Sequence, residues 1–340
     1  MPAWQKVVAS VVLASLTCFG LARCEFAVPK SSAPPDGRSV RFTAAGDVGM
    51  GKGAKAVLDT IKELGPDFNV NLGDLSYAQG PEQAFCDLIT AKLGPDFPYE
   101  VVAGNHESNG EEGHIENFAN CLPNKLPGLQ GEYGKQWYVD VPQEHPLVRL
   151  ILVSPGLEFP EGVLDYSRDS ERWRWTESAI DGARTADIPW TVVGMHTPCF
   201  SIGNYGCDAG QALTNLLISK NVDLVLTGHE HIYQRTHQLG INRTCIYLFI
   251  RDVTPECVVD SDDALTKGKG TVFTTIGVGG KSIREINTDD PEKPYFDVWS
   301  GTNENPALGT LDVTVTSTRM DVRFVPATGY TFTDAFSIGK

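Results

Sequence analysis

Basic side chains are in short supply in this chain. Its 340 residues carry 28 Lys and Arg against 43 Asp and Glu, a formal charge of −15. Nucleic acid and anionic membrane surfaces are held by clustered Lys and Arg, so neither is expected as a partner. An anionic substrate would have to be held by something other than a basic patch. Past its first residues the sequence lacks any apolar run approaching the roughly 20 residues that a membrane span needs. Internal repeats and low-complexity tracts are missing too, which excludes a repeat array. The apolar content of 41% argues against a disordered chain and suffices for one large core or two modest ones.

The amino terminus reads differently. Lys6 precedes an apolar run over residues 7–22, and Gly20-Leu21-Ala22 places small residues where a signal peptidase cuts. We read 1–22 as a secretory signal rather than an anchor, so no stable membrane insertion is expected after cleavage. Residues 23–38, rich in Pro and Ser, read as an extended lead-in, and 39–340 as the folded domain. A secreted or extracytoplasmic location allows disulfides. Six cysteines lie beyond Cys24 in three local pairs: Cys86 with Cys121, Cys199 with Cys207, and Cys245 with Cys257. Six cysteines permit about 15 pairings, among which nearness in sequence favours these three. Asn242-Arg243-Thr244 is a glycosylation sequon in a eukaryotic host.

Strand and helix patterns alternate from residue 39 onward, the mark of an α/β domain. The run Val222-Asp223-Leu224-Val225-Leu226-Thr227 ends in Gly228-His229-Glu230-His231. In an extended chain, side chains two apart point the same way, so His229 and His231 reach one cavity. Four other strand candidates end similarly: in Gly46-Asp47-Val48-Gly49, in Gly73-Asp74-Leu75-Ser76-Tyr77, in Gly104-Asn105-His106-Glu107, and in His196 after Val193-Gly194-Met195. Taken singly, Gly-Asp is a common turn and Asn-His a common loop dipeptide. Five strand ends bringing carboxylate, amide and imidazole to one rim form the ligand set of a site for two cations.

These ordered motifs resemble the calcineurin-like metallophosphoesterases and, within them, the purple acid phosphatases. Gly49 stands where other members of the superfamily place a metal-binding histidine, and Tyr77 closes the second motif; both point to the purple enzymes. The resemblance implies Fe(III) held by Asp47, Asp74, Tyr77 and His231. It implies a second, divalent ion (Zn, Fe or Mn) held by Asp74, Asn105, His196 and His229, with Asp74 bridging. Carboxylate and phenolate oxygens suit a hard trivalent ion, whereas imidazole and amide suit the divalent one. His106 would hydrogen-bond the phosphate or protonate the leaving group. The implied activity is that of a secreted acid phosphatase hydrolysing phosphate monoesters by attack of metal-bound hydroxide. A phosphodiesterase or nucleotide pyrophosphatase on the same metals is the alternative, and a secreted, non-catalytic binding protein is a third reading.

The sequence departs from that pattern in two places. Such enzymes carry another histidine roughly ten residues past the one matching His196, yet residues 197–228 contain none. The large plant and fungal members also have an N-terminal β-sandwich domain, for which there is no room before residue 39. Near the carboxyl end, an alternating hairpin over 310–324 should complete a second sheet. The expected architecture is a two-sheet β-sandwich core with flanking helices, in α/β/β/α order. Residues 271–276 run into Gly277-Val278-Gly279-Gly280, for which a structural role is favoured. Residues 245–266 read as a disulfide-tied excursion without chemistry.

Overall fold

The first strand, Val40–Ala45, is buried on both faces except at Arg41, as a strand must be when layers cover it from two sides. In the computed structural model, which describes residues 37–340 apart from Pro81 and Asp252, this strand lies inside a seven-stranded sheet. The signal expected at 1–22 and nearly all of the lead-in expected at 23–38 lie outside the described residues. Phe68–Asn71 runs parallel to the first strand and Tyr99–Val101 parallel to Phe68–Asn71. On its other edge stand Gly309–Val315, Arg319–Pro326, Asp334–Gly339 and Ala264–Thr266.

A second, eight-stranded sheet is built around the parallel set Val148–Leu152, Trp190–Met195, Leu224–Thr227 and Val272–Ile276. Antiparallel strands close its two edges. The sheets face one another: the rings of Tyr233 and Phe324, one from each sheet, lie 4.7 Å apart. Trp137 Nε1 donates across the gap to Val101 O at 3.1 Å. Helices cover the outer faces. Lys52–Leu64 buries Ala54, Val57, Leu58 and Ile61, spaced three and four apart on one helix face, against the first sheet. Glu171–Thr185 packs on the second sheet; its start is set by Ser170, whose Oγ accepts from Trp173 N–H at 3.2 Å.

The fold is therefore the α/β two-sheet sandwich expected, with one difference. The carboxyl-terminal hairpin joins the first sheet, where Phe42 pairs with Val313 antiparallel. Alternation marks a hairpin but does not say which sheet edge it extends. Cys86–Cys121, Cys199–Cys207 and Cys245–Cys257 are all bonded. No helix among the described residues is long and apolar enough to cross a membrane.

Candidate metal centre

The carboxyl ends of the parallel strands in both sheets meet at one seam. The first sheet contributes Asp47, Asp74 and Asn105 from the turns after Val40–Ala45, Phe68–Asn71 and Tyr99–Val101. The second contributes His196 after Trp190–Met195, and His229 with His231 after Leu224–Thr227. Backbone bonds hold the turns in register: Asp47 N–H donates to Gly73 O at 3.1 Å, Val48 N–H to Asp74 O at 3.0 Å, and Gly228 N–H to His196 O at 2.9 Å. Asp47, Asp74, Tyr77 and His229 all have φ between +52° and +67°, a left-handed region that costs a non-glycine residue roughly 1–2 kcal/mol. Residues are kept so where the surroundings over-determine them, most often at functional sites. Gly104 is a tight point, because a Cβ there would collide with Asp74 N and Oδ1.

The seven expected donors converge in two overlapping groups. In the first, Tyr77 OH donates to Asp47 Oδ1 at 2.7 Å and lies 3.0 Å from His231 Nε2, which is 3.2 Å from Asp47 Oδ1. In the second, His196 Nε2 is 3.1 Å from Asn105 Oδ1, 3.2 Å from His229 Nδ1 and 3.2 Å from Asp74 Oδ1. Asp47, Asp74 and His196 each offer a ligand atom within 4.8 Å of the others, a group that could hold a metal ion. Atoms bound about 2.0–2.2 Å from one ion lie roughly 3 Å from each other, which is the spacing found here.

The ring orientations carry the fit further. His196 Nδ1 lies 2.8 Å from Leu72 O and His231 Nδ1 lies 2.9 Å from Ser282 O. Each carbonyl can only accept, so each Nδ1 bears the proton and each Nε2 turns a lone pair inward. Those lone pairs face carboxylate and amide oxygens, themselves acceptors, an arrangement that a cation among them would satisfy. Burial pushes the His196 pKa down despite Asp74 and Asp47 beside it, keeping the imidazole neutral and able to ligate. Burial, with Asp47 and Asp74 alongside, raises the Tyr77 pKa, so the phenol keeps the proton it donates to Asp47. A hard cation at that position would take the place of this proton.

His106 lies at the lip, 30% exposed, with Nδ1 2.8 Å from Glu112 Oε2 and Nε2 3.4 Å from Asp74 Oδ2. Several further residues at the site were not singled out from sequence. Glu107 is buried and accepts from the N–H groups of Asp74, Leu75 and Gly104 at 3.0, 2.7 and 3.0 Å, fixing the turn that carries Asp74. Burial and the Asp74 charge raise its pKa. Glu230, buried in the bend that follows Leu224–Thr227 rather than in a strand, takes Ser201 Oγ at 3.2 Å and Tyr205 N–H. Tyr205 in turn stacks on His229 with ring centroids 4.0 Å apart, about ten residues past His196, where no histidine stands. The turn after Val272–Ile276 also borders the site: Gly279 N–H donates to Gly46 O at 2.9 Å and Lys281 N–H to Asp47 O at 3.0 Å. The glycine run thus shapes the rim as well as ending a strand. Its position after a parallel strand was the one signal for that.

This fold recurs in known proteins. Residues 40–233 match the calcineurin-like phosphoesterase family, and the chain belongs to it. Among its relatives are purple acid phosphatases. The chain is 27% identical over 215 residues to purple acid phosphatase 18 of Arabidopsis thaliana, covering 61% of this chain and 47% of that protein. It is 30% identical over 288 residues to an uncharacterized protein of Mycobacterium tuberculosis, covering 74% and 52%. The chain spans about half the length of the curated relatives it matches. A purple acid phosphatase from yellow lupin (Lupinus luteus) seeds has the same fold, with a TM-score of 0.64 at 18% identity over 89% of this chain and 54% of that one.

Proposed function

We propose that residues 39–340 form the catalytic domain of a secreted dimetal acid phosphatase that hydrolyses phosphate monoesters. The observation that supports it most is the inward turn of the His196 and His231 Nε2 lone pairs onto carboxylate and amide oxygens about 3 Å away. Asp47, Asp74, Tyr77 and His231 would hold Fe(III), and Asp74, Asn105, His196 and His229 a Zn, Fe or Mn ion. Gly49 is consistent with this division: a Cβ there would already lie 3.8 Å from the Tyr77 ring, so a larger side chain would compete with that ring. When bound, the two ions would supply positive charge for the phosphate oxygens and an activated water. The three disulfides support an oxidising compartment.

The chain's own groups have separable tasks. Glu112 Oε2, 2.8 Å from His106 Nδ1, is an ion-pair partner for the ring when it is protonated. The Nε2 atom then faces the site and, when protonated, can donate to a phosphate oxygen or to the leaving oxygen. Glu107 holds the Asp74 turn through three N–H groups. Leu72 O and Ser282 O hold the tautomers of His196 and His231.

The test is elemental analysis of the purified protein together with hydrolysis of phenyl phosphate and bis(p-nitrophenyl) phosphate. Two ions per chain, one of them iron, with faster monoester turnover is the expected result. Two zinc ions would remove the iron assignment, and faster diester turnover would replace the monoesterase reading by the phosphodiesterase one. Full metal loading without hydrolysis of either compound would leave a binding protein.

A further inference from the structure

The donors at the seam account for its carboxylates and imidazoles but not for two cations above them. Lys281 and Arg284 follow the glycine turn after Val272–Ile276. The segment is tied to the seam by its backbone: Lys281 N–H donates to Asp47 O at 3.0 Å, and Arg284 N–H to His231 O at 2.9 Å. Between them Ser282 O receives the His231 Nδ1 proton. Lys281 Nζ stands 3.8 Å from the centre of the Tyr77 ring. The Arg284 guanidinium lies 5.0 Å from the centre of the Tyr205 ring, and its Nη1 is 3.5 Å from His229 O. One cation therefore borders each group of donors.

Both side chains are half-buried, and among the described residues neither forms an ion pair. Several cations of this chain behave differently, although the half-buried Lys125 and Lys293 lack an ion pair among the described residues too. Arg41, Lys135, Arg149 and Arg235 all reach an Asp or Glu. Withdrawing a cation from water is costly unless an anion arrives, and Lys281 and Arg284 stand apart in bordering the two donor groups of the seam. Asp208, whose Oδ2 is 3.6 Å from His229 Nε2, is the nearby carboxylate at this edge, and neither cation pairs with it. Tyr205 is held for its part by the bond of its N–H to the buried Glu230 and by the disulfide that closes its loop.

We propose that Lys281 and Arg284 form an anion subsite at the mouth of the centre that takes a second phosphoryl group, so that the preferred substrates carry two linked phosphates. The inference rests on the phosphoesterase reading of the centre below. Hydrolysis of such a substrate adds one water: the terminal phosphorus gains the water oxygen, and the bridging P–O bond breaks. The bridging oxygen leaves with the electron pair and takes up a proton, giving orthophosphate and the shortened ester.

Two measurements test this on the full chain as purified, with metal content checked before and after. In the first, calorimetry compares methylenediphosphonate with orthophosphate. Tighter binding of the diphosphonate is expected in the parent, with that advantage falling by roughly tenfold or more in the Lys281→Gln/Arg284→Gln double variant, since a charge-assisted contact contributes about that factor. The charge-conserving Lys281→Arg/Arg284→Lys pair should keep most of it. In the second, the ratio of kcat/KM for inorganic pyrophosphate to that for phenyl phosphate should fall in the Gln pair, chiefly through KM. No diphosphonate advantage in the parent, or an advantage unchanged in the Gln pair, overturns the subsite. Equal loss on both substrates together with lost metal also overturns it, because the two side chains would then serve only to pack Tyr77 and Tyr205. Tight, Lys281- and Arg284-dependent diphosphonate binding by a protein that hydrolyses neither compound would uphold the subsite while overturning the phosphoesterase reading.

Discussion

The floor of the centre and its mouth are built by opposite rules. On the floor, Asp47, Asp74, His196, His229 and His231 are buried and locked to each other and to backbone at hydrogen-bond distance. At the mouth, His106, Lys281 and Arg284 are half-exposed and Tyr205 is 37% exposed, and Lys281 and Arg284 rest on aromatic rings and not on carboxylates. A rigid, desolvated floor favours holding ions in one geometry, whereas an open mouth favours exchanging a ligand that comes and goes. Changes to the floor should therefore disturb metal content first, and changes to the mouth should act on turnover and on the choice of ligand.

The sharpest break in that comparison is Asp74→Asn. Its carboxylate belongs to the metal-capable trio and faces His196, so both ions should leave on dialysis and activity should fall to background. Asn105→Ala should release mainly the divalent ion. Retention of both ions by Asp74→Asn, read by elemental analysis, would remove the bridging assignment. His106→Ala is the mouth's counterpart. It should keep the metals yet lower turnover by ~10²–10⁴ on a substrate with a poor leaving group, the range for loss of a general acid. Near-parent turnover on an alkyl phosphate would exclude that role.

Glu107→Gln leaves one acceptor oxygen for the N–H groups of Asp74, Leu75 and Gly104. Metal affinity should fall roughly 10–100-fold, as for other residues that orient ligands; competition with a chelator measures it. Tyr77→Phe keeps the ring against His106, 4.5 Å away between centroids, and deletes the hydroxyl. The iron-loaded variant should lose its visible absorption while circular dichroism stays unchanged. A coloured variant would show that another group binds the iron.

The smallest effect on activity is expected at Glu100, also a buried carboxyl but one without the imidazole neighbours of Asp47. Burial pushes its pKa up to about 7, and its Oε2 has no hydrogen-bond partner. The folded state thus binds this proton more tightly than the unfolded chain does. Stability from this group is fully present below the ordinary carboxyl range and is lost as pH rises to about 7. Glu100→Gln should remove that loss, stabilising the protein at pH 8 relative to its parent by on the order of 3 kcal/mol with activity unaltered. Denaturant midpoints at pH 5 and pH 8 decide it; an equal pH dependence in both proteins would rule it out.

The floor was legible because each donor sits at a strand end, within three residues of a glycine, and strand ends converge by topology alone. That is why Asp47, Asp74, Asn105, His196, His229 and His231 could be named together before any fold was known. The left-handed backbone of four donors left no trace that Asp or His alone would betray. The mouth was not legible. Tyr205 lies in a disulfide-closed loop, and Lys281 and Arg284 follow a glycine turn; neither segment has a period, and their neighbours are far away in sequence. Glu107 and Glu230 were within reach, since each sits inside a motif already picked out and a carboxylate beside ligands on a buried turn must find donors. The hairpin over 310–324 was recognised as a hairpin, but its sheet depends on which edge was open, a property of the assembled layers.

The seam position of the donors makes metal supply a matter of folding as well as catalysis. Asp47 hangs from one sheet and His231 from the other, so an ion touching both would act as a cross-link between layers that otherwise meet through side-chain packing and scattered hydrogen bonds. An ion that binds only the folded chain stabilises it by about 2.7 kcal/mol at a hundred times its dissociation constant. The chain should then hold together best in surroundings where free metal is plentiful, and a chelator should lower its melting temperature before it alters any contact within either sheet.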